Sequence, residues 1–473
     1  MQDRAAVPRL CHAALASLLA LLPLACGEGF EHEANASPRQ SPPQPTSKAK
    51  PVEIEPVEIE PAEPAKPIGP PRLPEYVAKP GDEIDPHQPI EDPSGRALRN
   101  FHRALARLDD GTSTDKVRVL HLGDSTLGVD AIPNGVRKRM QARFGDGGPG
   151  LMLLKRYSLS YKPATVALRG GDAWSHCYIA YQCRGDGHYG IGGVVVTSSG
   201  GAATTYTSLA NATSGTEFSQ VELWYAASEG GGSIALEIDG ELATTVDSQA
   251  PGQLELEDRW AKVDVEPGKH SVAVRAMGGG KARIYGLVLE HERPGVVWDT
   301  STMIGAFTKR LLAWDPEHLA AQIRHRDPDL IVFTYGGNDL RRMAAGKLDQ
   351  AGYVEEAGKV IDMLRAGQPE ASCLITAVTD HGRSGDFEIT PEQVELMVEA
   401  QRRLAAAKGC AFFNSWEAMG GPNSLRAWLD LRPRMAEPDL KHLNNRGREL
   451  MGQWIHEALL ADYVAYRKRG IDD

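Results

Sequence analysis

The sequence predicts an α/β protein: a parallel sheet covered by helices on both faces, interrupted by an inserted all-β sandwich. Three observations predict it. Apolar runs of strand length at 117–122, 330–333, 373–378 and 410–413 alternate with stretches of helical spacing. These runs are apolar on both faces, as strands buried between two helix layers must be. Between about 160 and 290 the helical period is lost, and short alternating segments punctuated by glycine runs replace it.

Taken in order, residues 1–26 read as an export signal. Arg4 and Arg9 give a positive start, and 13–25 is almost wholly apolar yet too short to span a bilayer. The segment ends Leu22-Pro23-Leu24-Ala25-Cys26-Gly27, which resembles a bacterial lipoprotein signal, although Pro23 stands where Leu is usual. That resemblance implies a lipid on Cys26 and a place as an outer-membrane or periplasmic lipoprotein. The alternative is cleavage after Ala25 with Cys26 unmodified. Residues 27–93 are rich in Pro, Glu, Ser and Lys and repeat Pro-Val-Glu-Ile-Glu in tandem at 51–60. They offer too little apolar surface to offset chain entropy and read as a disordered, extended spacer.

Residues 94–159 open the α/β domain. Leu98, Phe101, Leu105 and Leu108 recur at helical spacing, the 117–122 strand follows, and a helix is expected over 133–143 with Pro133 in its first turn. Residues 160–291 form the insertion: Val221, Leu223 and Tyr225, then Ile234, Leu236 and Ile238, then Val272 and Val274 alternate with polar residues. Residues 292–473 resume the α/β pattern. Leu319 and Ile323 mark a helix, as do Val360, Ile361 and Leu364. Further helices are expected at 394–407 and around 450–460.

A net charge of −11 with no basic stripe excludes nucleic acid as a partner. No His-Glu-x-x-His or paired Cys-x-x-Cys occurs, so the sequence points to no metal and no cofactor. Contact with a membrane is expected only through an N-terminal lipid. Cys177 and Cys183 are close enough for a small disulfide loop in an exported chain, whereas Cys373 and Cys410, each opening an apolar run, are expected reduced and buried.

The chemistry lies at strand ends. The 117–122 run delivers Gly123, Asp124 and Ser125; Gly336, Gly337, Asn338 and Asp339 follow the 330–333 strand; Asp439 and His442 stand before the last helix. Open parallel sheets bind ligands at the carboxyl ends of their strands, and a Ser, a His and an Asp make a hydroxyl nucleophilic. The three motifs in this order resemble the SGNH/GDSL hydrolase family over roughly 95–160 and 292–463. An insertion after the glycine-rich stretch 145–150 is similar to that of bacterial peptidoglycan O-acetylesterases, where it looks like a carbohydrate-binding module. The resemblance implies a flavodoxin-like three-layer fold, with Ser125 as nucleophile, His442 as base and Asp439 as its orienting acid. It implies an oxyanion hole from the Ser125 N–H, the Asn338 side chain and the N–H of Gly305. At the last position the family usually shows a further Gly a few residues earlier, where this chain has Thr302, and a plain turn glycine is the alternative.

Asp315 and His318 repeat the Asp-x-x-His spacing, but they precede the Gly-Gly-Asn-Asp motif, and Asp315 before Pro316 reads as a helix cap. Asp124 and Asp339 are expected to hold loops, and His121 to be a core residue. Trp174, Tyr178 and Tyr181 in the insertion and His381 beside the expected site are candidate substrate contacts, with core packing as the alternative for each. The expectation is an exported serine esterase that removes acyl groups, acetyl foremost, from a polysaccharide, peptidoglycan first. Its rivals are another glycan deacetylase, a lipase or thioesterase, a glycan O-acetyltransferase, and an inactive glycan-binding protein.

Overall fold

A computed structural model describes residues 73–252 and 255–470. The export signal, Cys26 and the spacer up to residue 72 lie outside the described residues. The described residues belong to one compact unit.

A six-stranded sheet carries the site. Its order is Ile90–Glu91, Ala411–Phe413, Ser372–Thr376, Leu330–Thr334, Val117–Gly123, Val296–Thr302. Five strands are parallel, and the short edge strand Ile90–Glu91 pairs antiparallel with Ala411–Phe413. Successive side chains of a strand point to opposite faces. Ile331 and Phe333 accordingly join the apolar cluster of helices Pro316–Arg326, Gln350–Ala366 and Pro391–Lys408. Leu330 and Val332 join the cluster of helices Arg99–Asp109, Ala131–Phe144 and Asn445–Arg469. The helix expected over 394–407 begins at Pro391, because Thr390 and Gln393 form a capping box and Pro391 fits the first turn.

Two antiparallel sheets fill the insertion. One runs Glu241–Asp247, Ser233–Ile238, Ser271–Gly278, Ala203–Ser208, Val166–Gly170; the other runs Glu257–Gly268, Phe218–Ala227, Ala282–Glu290, Val194–Ser198, Ser175–Tyr178. Ile234, Leu236, Val272 and Val274 of the first share a core with Val221, Leu223, Ile284 and Leu287 of the second. The strand Gly150–Met152 also pairs with Ala282–Glu290, so the antiparallel region begins before residue 160. The outer face of the second sheet is apolar too: Trp224, Tyr285 and Val288 pack with Leu319 and Ile323 of the α/β part.

Two expectations are corrected. Residues 73–93 are not a free spacer, although their composition suggested one. Asp82 is buried and bound by Arg143 at 2.8 Å, Glu91 pairs with Arg402 at 2.7 Å, and Ile90 sits in register with Phe413. Ion pairs, one edge strand and the widely spaced Leu73, Tyr76, Ile84 and Ile90, which pack on the core, anchor the segment, and none of these leaves a regular apolar period. Cys373 and Cys410 form a disulfide with a Cα–Cα distance of 4.6 Å. They directly precede Leu374 and Ala411, which are paired in neighbouring parallel strands. Cys177 and Cys183 are also bridged.

Candidate active site

The Val117–Gly123 strand delivers the turn that holds Ser125. A Cβ on Gly123 would lie 2.6 Å from the Leu127 side chain and 2.8 Å from the Thr334 carbonyl oxygen, so the chain can turn here only without a side chain. The turn continues as a short 3-10 segment, Ser125–Asp130. Asp124 starts it by accepting from the Thr126 N–H at 2.9 Å and the Thr126 hydroxyl at 2.8 Å. Val129 sits at φ +56°, a left-handed conformation that is costly for a β-branched residue. Its neighbour Asp130 is gripped by Arg137 at 2.8 Å, the Thr300 hydroxyl at 2.8 Å and the Ala164 N–H at 3.1 Å. Arg448 donates to the carbonyl oxygens of Gly128 at 2.8 Å and Ser125 at 3.3 Å.

Ser125 Oγ lies 2.8 Å from His442 Nε2, and His442 Nδ1 lies 2.6 Å from Asp439 Oδ2. The other Asp439 oxygen accepts the N–H groups of Lys441 and His442, each at 3.0 Å. Burial works to raise the Asp439 pKa, but the hydrogen bonds from the His442 ring and these two N–H groups outweigh it. The carboxyl stays below its usual range. An ionised Asp439 keeps the proton on Nδ1 and leaves Nε2 to face the serine hydroxyl.

The Ser125 and Gly305 N–H groups donate to no protein acceptor among the described residues. Gly305 adopts φ +77° in open space, a conformation that favours glycine. Asn338 is fully engaged. Its Nδ2 donates to Asp124 Oδ2 at 3.2 Å and to the Ala306 carbonyl at 3.0 Å, and its Oδ1 accepts from Lys441 Nζ at 2.8 Å. Asp339 is buried, which pushes its pKa up to about 6, against hydrogen bonds from the Thr308 N–H and hydroxyl and the charge of Arg342. It ties the Asn338 loop to the segment after Gly305.

Three expected substrate contacts are corrected. Trp174 is 1% exposed, with its indole N–H on the Thr204 hydroxyl at 3.0 Å; it belongs to the core between the two antiparallel sheets. Tyr178 is buried and donates to the Ile304 carbonyl at 2.7 Å, bracing the loop that carries Gly305. His381 is 4% exposed, its Nδ1 is 2.8 Å from the Thr379 carbonyl, and burial lowers its pKa to about 4. Neutral at ordinary pH, it supports Gly337 from below. Tyr181 alone of the four is open, at 74% exposure, set edge-on against Tyr178.

The second Asp-x-x-His is a junction. His318 Nδ1 is 2.7 Å from Asp258 of the insertion, its Nε2 accepts the Gly190 N–H at 2.9 Å, and Asp315 caps the helix by accepting the His318 N–H at 2.8 Å. With Nε2 occupied, this imidazole has no free base. His188, Asp258 and His318 bring ligand-type atoms within 4.8 Å of one another. Because His318 Nε2 accepts the Gly190 N–H, Nδ1 carries the hydrogen and donates it to Asp258, so the structure satisfies this pair as a hydrogen bond. Sequence reasoning missed Arg448, Lys441 and Tyr157, whose hydroxyl donates to the Thr302 carbonyl. Their partners lie far away in the chain, and only the fold brings them together.

Residues 282–450 match the GDSL-like lipase/acylhydrolase family. The matched segment holds Gly305, Asn338, Asp439 and His442, while Ser125 lies beyond it, across the insertion. No curated protein matches the chain. Among solved structures, a peptidoglycan O-acetylesterase superposes with a TM-score of 0.62 at 21% identity, covering 78% of this chain and 97% of the other. A lipase/acylhydrolase from Enterococcus faecalis gives 0.27 at 20% identity, over 36% of this chain and 76% of the other. A carbohydrate esterase family 3 protein from Talaromyces cellulolyticus gives 0.27 at 15% identity, over 36% and 73%. The segment 282–450 is thus similar to GDSL-like lipases/acylhydrolases, and the chain shares its fold with a peptidoglycan O-acetylesterase.

Proposed function

We propose that this protein is a serine esterase that removes O-acetyl groups from a cell-envelope polysaccharide, with peptidoglycan as the first substrate. The observation that carries the reading is the Ser125–His442–Asp439 chain of hydrogen bonds, 2.8 and 2.6 Å long, at the carboxyl end of the parallel sheet. Ser125 Oγ attacks the ester carbonyl carbon as its proton passes to His442 Nε2. The resulting oxyanion takes the free N–H groups of Ser125 and Gly305 and a hydrogen from Asn338 Nδ2. Asn338 then gives up one of its resting acceptors, and the Ala306 carbonyl sits next to Gly305 on the loop that substrate would touch. His442 returns the proton to the leaving sugar oxygen, and water repeats the sequence on the acetyl-enzyme to release acetate.

The glycan follows from the insertion. Tyr181 offers an exposed ring on which a sugar face can stack, and Tyr178 joins that ring to the oxyanion loop. The shared fold with a peptidoglycan O-acetylesterase supports peptidoglycan over other glycans. Two disulfides support an oxidising compartment. Lipidation at Cys26 would hold the enzyme at a membrane. The test is acetate release from O-acetylated peptidoglycan and from acetylated xylan, alongside p-nitrophenyl acetate hydrolysis. The wild type is expected to act on peptidoglycan above xylan and Ser125→Ala on neither. Activity surviving in Ser125→Ala would remove the serine mechanism; faster release from xylan would move the substrate to another glycan.

A further inference from the structure

Lys441 lies between the orienting acid and the base of the triad in sequence, yet its ammonium bonds to Asn338 and not to either of them. Its ammonium donates to Asn338 Oδ1 at 2.8 Å, linking two residues 103 positions apart. From this we infer that Lys441 is a positioning residue for the oxyanion hole, an inference that rests on the esterase reading above.

The geometry of the carboxamide makes the case. Asn338 Nδ2 faces two acceptors, Asp124 Oδ2 at 3.2 Å and the Ala306 carbonyl at 3.0 Å, while Oδ1 faces only the Lys441 cation. Turning the amide over would set its oxygen against a carboxylate and a carbonyl and its N–H groups against an ammonium. The orientation is therefore fixed from both ends. A charged donor on Oδ1 is about twice as strong as a neutral one. It also draws electron density from the amide nitrogen, and linked hydrogen bonds strengthen one another in a low-dielectric site. The Nδ2 hydrogens thus become better donors to a developing oxyanion. The bond has a second effect. The backbone N–H of Lys441 is already held by Asp439 at 3.0 Å. The side chain of the same residue locks the triad loop to the Gly336–Asn338 loop, so base and oxyanion donor keep one relative position.

These effects act on a negative charge that exists only in the transition state, and so belong in turnover and not in ground-state affinity. On p-nitrophenyl acetate, Lys441→Met is expected to lower kcat about 10–30-fold with KM within about twofold of wild type. Lys441→Arg should recover most of that loss. Affinity for a boronic acid that forms a tetrahedral anion on Ser125 should fall by the same factor as kcat. In an Asn338→Ala background, where the amide is gone, Lys441→Met should change kcat by less than about twofold. Full kcat in Lys441→Met, or a loss that multiplies undiminished onto that of Asn338→Ala, overturns the inference while leaving the esterase reading intact. Wild-type kcat in Asn338→Ala would instead remove Asn338 from the oxyanion hole, and Lys441 with it. Loss of activity in Ser125→Ala separates both of those outcomes from failure of the serine mechanism.

Discussion

His442 and His318 each follow an aspartate by three residues, and the environment of Nε2 separates them. In one the nitrogen meets a serine hydroxyl; in the other it accepts a backbone N–H. His442→Ala should therefore reduce turnover by about 10³-fold or more with folding preserved. His318→Ala should lower the melting temperature, because it leaves Asp258 and Gly190 without their partner, yet keep turnover per folded molecule within a few-fold of wild type. Active-site titration beside a thermal melt reads both quantities. Equal turnover losses in the two variants would refute the assignment. At this scale the proposed triad was legible because Ser125 and Asn338 follow strand ends and Asp439 and His442 stand in a short motif on the loop before the last helix. Lys441 and Arg448 were not legible, since each makes sense only through a residue more than a hundred positions away. Trp174 and Tyr178 misled for a different reason: composition identifies aromatic residues but not which face of a strand is covered.

Among the elements, the short strand Ser175–Tyr178 and the turn after it gather several roles. The Cys177–Cys183 disulfide closes the turn, Tyr178 points inward to Ile304, and Tyr181 points outward. A rigid, exposed ring so placed should hold a polymer and ignore a small ester. Tyr181→Ala is expected to cut acetate release from O-acetylated peptidoglycan about tenfold while p-nitrophenyl acetate hydrolysis stays within about twofold. Equal losses on both substrates would make the turn purely structural. Most of the expected helices and parallel strands were legible to within a few residues from their periods and caps, whereas the last helix, expected around 450–460, runs Asn445–Arg469. The Cys373–Cys410 bridge was not, because it depends on two parallel strands lying side by side, which a separation of 37 residues conceals. Segment 73–93 was misread because salt bridges, an edge strand and the scattered apolar residues Leu73, Tyr76, Ile84 and Ile90 fix it, and these follow no regular period.

For the whole molecule, the sharing of apolar clusters across the insertion and the α/β part makes a single cooperative unfolding transition the expectation. Its pH dependence can be worked out. Burial lowers His102 and His121 to about 3, and His381 and His456 to about 4. Below an unfolded histidine pKa of about 6.5, the unfolded chain binds the extra protons, so stability falls with pH until each folded pKa is reached. At pH 5 this amounts to on the order of 1–2 kcal/mol per histidine. Asp329, Asp339 and Asp462, raised by burial to about 6, act in the opposite sense, but only below that pH. The melting temperature should therefore drop between pH 7 and pH 5.5. Among the described residues His456 has no hydrogen-bond partner on either ring nitrogen, so His456→Met should raise the melting temperature at pH 5.5 and flatten the slope. An unchanged slope in that variant would show that His456 does not titrate as argued.

The strand that carries Ser125 has its two neighbours, Val296–Thr302 and Leu330–Thr334, on the far side of the insertion, and the base that faces Ser125 lies 317 residues downstream. During synthesis or export from the N-terminus, the nucleophile emerges early and has nothing to pair with. Its hydrogen-bond partner His442 belongs to the C-terminal segment. The arrangement around Ser125 is therefore completed only by chain that follows the insertion in sequence.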